Sequence, residues 1–230
     1  MTKTLEAYKK GELLLIDKPL KWTSFQVVNK IRWHIRKTFD IKKIKVGHAG
    51  TLDPLATGLL MICTGKMTKK IEKFQAQTKE CSGTITLGSS TYSYDLETAI
   101  EQRFATHHIT KPLIFKTAKE FEGEIMQYPP LYSALKKDGK RLYEFARAGK
   151  EVSIRVRQIN VYSFKITDIK NLEVDFQIKC SKGTYIRSLA HDFGKALKSG
   201  GHLSALRRTS IGDFSVNDAM SIEDFTESLE

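Results

Sequence analysis

From Leu172 to Cys180 the chain alternates without a break: Leu172, Val174, Phe176, Ile178 and Cys180 against Glu173, Asp175, Gln177 and Lys179. A period of two with one apolar side is the pattern of a half-buried strand in an antiparallel sheet, whose apolar face has to be covered by another layer. A helix is expected directly after it, with Ile186, Leu189, Ala190, Phe193 and Leu197 along one side to supply such cover. Upstream, Leu13 to Ile16 reads as a short buried strand stopped by a turn at Asp17-Lys18-Pro19. Ser24 reads as the N-cap of a helix that carries Phe25, Val28, Ile31 and Ile35 at helical spacing. Leu59 to Cys63 reads as a strand leading into a lysine-rich helix near Lys66 to Gln75, and Thr84 to Leu87 as a further strand. Asp40 to Gly58 resists any periodic reading. Strands and helices mix without a βαβ rhythm, so the expected class is α+β, not a doubly wound parallel sheet.

At 230 residues a chain buries about 70% of the surface it would expose unfolded and needs no covalent staples. Three cysteines, Cys63, Cys81 and Cys180, contain no CxxC pair. That spacing argues against a disulfide framework and a zinc finger, and for a reducing, cytoplasmic setting. No apolar run approaches the roughly 18 residues of a membrane span, and residues 1–10 lack the apolar core of a signal peptide. The net charge is +12, which favours acidic partners and nucleic acids in particular. The charge is uneven. Lys30 to Lys45 holds seven basic residues against Asp40, and Lys136 to Arg157 eight against Asp138, Glu144 and Glu151. Asp213 to Glu230 carries six acids and no base. One basic run alone reads as a solvated face; two of them flanking Gly- and Pro-rich segments point to a groove that binds phosphates, of DNA or RNA alike.

Gly47-His48-Ala49-Gly50-Thr51-Leu52-Asp53-Pro54-Leu55-Ala56-Thr57-Gly58 is the most unusual segment. Pro54 restricts Asp53 to an extended backbone and so gives its carboxylate a fixed direction. On local chemistry alone, an Asx turn remains the stronger account of Asp53. A phosphate loop fails on spacing, since Leu60 stands where its first glycine belongs and Met67 follows Gly65-Lys66. There is no GxGxxG, no HExxH and no GxSxG, which argues against dinucleotide, zinc-hydrolase and serine-hydrolase chemistry. What remains is a site built on a carboxylate and an arginine. Arg187, just after Gly183-Thr184-Tyr185, qualifies for it, although a surface ion pair is the common fate of an arginine.

These residues resemble the tRNA pseudouridine-55 synthases of the TruB family. The resemblance lies in Gly47 to Leu60, in Gln127-Tyr128-Pro129-Pro130-Leu131-Tyr132-Ser133-Ala134-Leu135-Lys136 and in Gly139 to Arg147. It continues through Cys180-Ser181-Lys182-Gly183-Thr184-Tyr185-Ile186-Arg187, Gly201-His202-Leu203 and Leu206-Arg207-Arg208, with Leu14 to Pro19 as the opening strand. The resemblance implies the pseudouridine synthase fold, a mixed and largely antiparallel sheet with flanking helices. It also implies isomerisation of uridine 55 in the tRNA T-loop, without metal or cofactor. Asp53 matches the catalytic aspartate and Arg187 the arginine that pairs with it. His48 matches the residue that takes the place of the flipped base, while Lys18, Tyr185 and Leu206 match positions lining the pocket.

Residues 127–157 match an insertion that folds over the T-loop, a thumb, with Lys136 among its RNA-binding residues. The catalytic domain is accordingly expected over residues 1–212, followed by an acidic C-terminal tail, 213–230, in which a PUA-type domain is absent or vestigial. Cys81 stands where the family has a tyrosine that stacks on the target uracil. A cysteine has no stacking face and a weak donor, so a tRNA-binding or folding protein with reduced or lost catalysis is the second reading. A metal-free nucleotide-processing enzyme unrelated to RNA is a third. The partner expected is the T-stem-loop of tRNA, bound by a cytoplasmic monomer with no membrane attachment.

Overall fold

The structure, a computed structural model, describes residues 3–150 and 152–229; Met1, Thr2, Glu151 and Glu230, which the expected segment boundaries and charge runs include, lie outside the described residues. In chain order the first elements are α1 (Leu5–Lys10), β1 (Leu13–Lys18), α2 (Ser24–Thr38), β2 (Val46–His48), β3 (Ala56–Thr64), α3 (Ile71–Gln75) and β4 (Lys79–Leu87). Next come β5 (Ser89–Thr91), β6 (Ile100–Arg103), α4 (Lys111–Glu120), β7 (Gly123–Gln127), β8 (Lys136–Lys137), β9 (Lys140–Arg141) and α5 (Leu142–Arg147). The last are β10 (Arg157–Lys170), β11 (Glu173–Cys180), α6 (Ile186–Ala196), β12 (Gly201–Ile211), β13 (Phe214–Ser215) and α7 (Ile222–Glu227). The chain forms two compact units: one runs to Cys81 and resumes at Leu206, the other is Ser82–Ala205. The chain passes from one to the other within β4 and within β12. Among the described residues no helix is long and apolar enough to cross a membrane.

In the first unit β3 is central. β1 pairs it antiparallel from Leu13↔Cys63 to Lys18↔Gly58, and β12 pairs it parallel from Leu206↔Ala56 to Arg208↔Gly58. Both faces of β3 are covered, which is why it reads as an unbroken apolar run. Leu60 and Ile62 pack with Val27, Val28, Ile31 and Ile35 of α2 and with Ile222 and Phe225 of α7. Leu59, Met61 and Cys63 pack on the other side with Phe74, Ile211 and Val216. Gly58 is obligatory: it has φ +100°, and a Cβ there would lie 2.2 Å from the Arg208 carbonyl oxygen. The acidic C-terminal stretch is helical over α7, and its apolar residues Ile222, Phe225 and Leu229 belong to the same core. Its acids from Asp213 to Glu227 are exposed, and a capping box between Ser221 and Asp224 starts the helix.

The second unit carries the alternating strand. β11 pairs β10 antiparallel, and β10 pairs β7. Val174, Phe176, Ile178 and Cys180 are buried as the alternation requires. Leu172 is not: Asn171 at φ 54° makes the turn out of β10, so Leu172 lies in that turn and is 37% exposed. Phe164 meets Phe176 at 5.7 Å and 89° and Phe193 at 5.4 Å and 63°, edge-on contacts that seat α6 on the sheet. All five expected inward residues of that helix, Ile186 to Leu197, are buried.

Three further details differ from the sequence reading. Thr23, not Ser24, is the N-cap of α2 and forms a capping box with Gln26. Phe25 is 63% exposed, because Val27 takes its expected place on the inner face beside Val28. The lysine-rich segment is helical in two pieces, a 3₁₀ turn over Gly65–Lys70 and then α3.

Candidate active site

Asp53 lies on a half-buried loop between β2 and β3, and the backbone of this loop is gripped by side chains from three other elements. Lys18, at the end of β1, is fully buried. Its ammonium donates to the carbonyls of Trp22 at 2.6 Å, Pro19 at 2.9 Å and Pro54 at 3.4 Å. Ser24, in the first turn of α2, both donates to the Leu52 carbonyl (3.1 Å) and accepts from the Leu52 amide (2.8 Å). The two bonds explain why Ser24 points inward and leaves the cap to Thr23. Arg208 of β12 donates to the carbonyls of Leu59 (2.8 Å), Gly50 (3.2 Å) and Thr51 (3.4 Å). Its neighbour Arg207 faces the other way and holds Asp17 in a bidentate pair at 2.6 and 3.0 Å. The residues on either side of Asp53 are therefore fixed through their backbone, and the Ala56 amide closes a turn onto the Asp53 carbonyl at 3.1 Å.

Charge is concentrated at this loop. Burial pulls the Lys18 ammonium down to about 8; the Asp53 carboxylate opposes that fall and Arg208 adds to it. Burial likewise lowers His48, against a hydrogen bond at the Gly50 backbone, and Arg208 lowers it further. His48 is thus a neutral imidazole at pH 7. Lys18 has no exposed surface, so the pocket-lining place expected of it gives way to a support beneath the loop. Leu206 is half-buried and stands opposite Ala56 in the β3–β12 pairing, three residues beyond Asp53.

Arg187 lies in the other unit, in the first turn of α6, and is 3% exposed. The surface ion pair expected of an ordinary arginine is ruled out. Its Nη1 donates to the Ser93 carbonyl at 3.1 Å, and its Nε is 3.6 Å from the carboxylate of Asp95, itself 4% exposed. The loop around Asp95 is tightly made: Thr91 and Ser93 hydroxyls donate to the Asp95 carbonyl, and the Asp95 carboxylate accepts the Glu97 amide. Between them Tyr94, at φ 63°, stacks on His191 of α6 at 3.9 Å and 15°. Burial raises the Tyr94 phenol and lowers the His191 imidazole, so both are neutral at pH 7.

Tyr185 caps α6. The Gln127 side chain, 2% exposed, meets both of its backbone groups, accepting from the amide at 2.8 Å and donating to the carbonyl at 3.1 Å. Ser188 donates to the Tyr128 carbonyl at 2.7 Å. The entry to residues 127–157 is thereby pinned to the helix that carries Arg187. Beyond it, β8 and β9 form a small hairpin with exposed Lys136 opposite Arg141 and Lys137 opposite Lys140. Asp138 and Gly139, at φ 51° and 82°, make its two-residue turn. Tyr143 is half-buried under Arg147, 5.4 Å from its ring centroid. Cys81 is a buried thiol on β4.

Sequence reading passes over Asp95 and the Asp138-Gly139 turn, and it gives no positioning role to Ser24, Gln127 or Arg208. Only the Asp138-Gly139 hairpin carried a local signal, a DG pair in a two-residue turn. Among the described residues no three His, Cys, Asp or Glu side chains are grouped to hold a metal ion.

The TruB family pseudouridylate synthase N-terminal domain matches residues 36–186, and the tRNA pseudouridylate synthase B C-terminal domain matches residues 187–230. The chain is 59% identical to tRNA pseudouridine synthase B of Flavobacterium johnsoniae, over 99% of this chain and 100% of that protein. It is 51% identical to the protein of the same name from Phocaeicola vulgatus, over 97% and 95%. Among solved structures, it superposes on a chain of a Cbf5-Nop10-Gar1 complex with a TM-score of 0.71 and 31% identity, over 96% of this chain and 54% of that one. An H/ACA RNP bound to a substrate RNA containing 2′-deoxyuridine gives 0.70 and 28%, over 98% and 55%. The chain spans about half the length of these two structural relatives.

Proposed function

This chain belongs to the TruB family of pseudouridylate synthases, and from that premise we propose that it converts uridine 55 in the T-loop of tRNA to pseudouridine with Asp53 as its catalytic group. It is an isomerase with the pseudouridine synthase fold. Its relatives of known name act on tRNA, and tRNA is the substrate here. The reaction breaks the N1–C1′ bond, turns the uracil and joins C5 to C1′; the proton on C5 is lost and N1 gains one. Cleavage leaves an electron-poor sugar carbon, for which a fixed carboxylate is the suitable partner. The observation that carries the reading is the grip of Lys18, Ser24 and Arg208 on the loop of Asp53. All three bond backbone atoms of the loop, and the Lys18 ammonium also faces the charge of the Asp53 carboxylate.

The second catalytic group in this proposal is Arg187, anchored in its own unit by Ser93 and Asp95. The target base leaves its stack to be reached, and His48, neutral at pH 7, takes its place in the loop. Tyr185 and Leu206 each contact the substrate in this reading, Lys18 supports the Asp53 loop from within, and Lys136 belongs to a thumb, residues 127–157, that covers the T-stem-loop. Residues 1–212 act as the catalytic domain and 213–230 as its acidic extension, in a monomer working in the cytoplasm. A second reading, a tRNA-binding or folding protein with weak catalysis, is favoured by one observation, the small buried thiol of Cys81 where the family's stacking tyrosine is expected. Carbodiimide mapping of an unmodified tRNA transcript after incubation with the protein separates them. A stop at position 55 supports the synthase, a stop elsewhere moves the target, and none leaves the second reading.

A further inference from the structure

The outer face of α2 carries a cluster that the proposed chemistry does not use. While Val27, Val28, Ile31 and Ile35 fill the core, Lys30, Trp33 and Lys37 recur at helical spacing on the opposite side. Trp33 is 50% exposed. The Lys30 ammonium lies 5.7 Å and the Lys37 ammonium 4.9 Å from its ring centroid, and His34 meets the ring edge-on at 4.6 Å. The two ammonium contacts are attractions of a cation to the face of an aromatic ring. They hold two flexible ammoniums in one place, where like charges repel. α2 contains no Asp or Glu to compensate them, and exposed Arg36 adds to the same positive field. Arg32 shows what an arginine with an internal task does on this helix: it turns inward to Asn29 and to the Val46 carbonyl.

The face has a defined place relative to the candidate active site of the same unit. The start of α2 is tied to the Asp53 loop by Ser24 and Leu52. At 1.5 Å per residue, Lys30, Trp33 and Lys37 stand about 9, 14 and 20 Å further along the axis. We infer that this face is a further RNA contact, at which Lys30 and Lys37, organised by Trp33, take the sugar–phosphate backbone of the tRNA a few nucleotides from the target uridine. A polyanion relieves the repulsion between the two ammoniums, and the ring lowers the entropy of presenting them. The inference rests on the reading of tRNA as substrate and adds to it a track for the backbone.

Affinity of an unmodified tRNA transcript, measured against salt concentration, tests it in four proteins whose folding is checked by circular dichroism. Lys30→Gln/Lys37→Gln is expected to bind about tenfold more weakly at low salt, with the slope of log affinity against log salt reduced by about 1.5. Trp33→Leu, which keeps both charges but frees them, is expected to lose about threefold with the slope unchanged. Lys111→Gln/Lys116→Gln on α4, the same charge change on another exposed helix, is expected to match wild type. Wild-type affinity and slope in the α2 double variant overturn the inference and leave the face to an acidic protein or to solvent. An equal loss in the α4 control overturns it too, by making the effect one of net charge. Pseudouridine mapping of the same transcript with wild type is read separately: its failure removes the proposed isomerisation, not the surface.

Discussion

Lys18 and Arg187 are both cations sealed from solvent, at 0% and 3% exposure, one in each unit, yet their partners differ in kind. Lys18 gives its donors to three carbonyls and is drawn down to about 8 by its burial. Arg187 sits beside a buried carboxylate, Asp95, and a guanidinium stays charged at any working pH. The first is a clamp whose charge is conditional; the second is a permanent charge held in place. The three donors of the Lys18 ammonium fan out from one point to three carbonyls, whereas the planar Arg187 guanidinium divides its donors between the Ser93 carbonyl and the side of the Asp95 carboxylate.

The largest effect that would sharpen this contrast is expected at Arg187. Replacing it by Met leaves Asp95 buried without its cation and should cost about 3 kcal/mol of stability. Denaturant titration reads this, and Arg187→Met combined with Asp95→Leu should recover part of it. A double variant no better than the single would show that the pair is not the unit that matters.

Lys18→Met should cost less, about 2 kcal/mol, since carbonyls left without a donor are its main loss. Its signature is in pH. The folded chain binds the Lys18 proton more weakly than the unfolded chain, whose lysine keeps its ordinary value of 10.5. Between about 8 and 10.5 the unfolded state therefore holds more protons, and stability gains from this group as pH rises. The Tm difference between wild type and Lys18→Met should move in favour of wild type from pH 8 to pH 10. A difference that stays flat or moves the other way would mean that Lys18 is not a conditional cation.

Cys81→Tyr restores a stacking ring to a position where it is expected to face the flipped base, an interaction worth ~1–3 kcal/mol. Single-turnover isomerisation should quicken roughly tenfold, with tRNA affinity changed much less. A slower variant would mean the site has adapted to the small side chain and is overpacked by the ring. The smallest energies belong to the exposed hairpin: alanine at Lys136, Lys140 and Arg141 should lower the salt slope by about 2 and leave the fold intact. An unchanged slope would remove this hairpin from the interface.

Much of the fold is legible because it is periodic. The buried faces of β11 and α6 follow from spacing alone, and β3 is recognisable by having two. Errors fall where a turn or a tertiary bond overrides the pattern: Leu172 keeps the alternation but lies in the turn made by Asn171, and Ser24 has the chemistry of a cap but bonds Leu52. The candidate site divides in the same way. Asp53 stands out through its glycines and Pro54, and Arg187 through its place after a turn. Arg208 and Asp95 have no local mark, because their partners are remote in sequence: Arg208 holds Gly50 and Leu59 about 150 residues away, and Asp95 meets Arg187 about 90 residues on. No periodicity records such bonds.

The central claim is that a carboxylate held on a clamped loop performs the isomerisation, and position-resolved pseudouridine formation in wild type and Asp53→Asn measures it most directly. Both proteins are incubated under single-turnover conditions with the same unmodified tRNA transcript, after equal binding has been established. The asparagine keeps the shape of the side chain but cannot supply its charge. Wild type is expected to form pseudouridine at position 55, and Asp53→Asn to bind the transcript while forming it at least ~10³-fold more slowly. Pseudouridine at position 55 from Asp53→Asn at the wild-type rate would contradict the account.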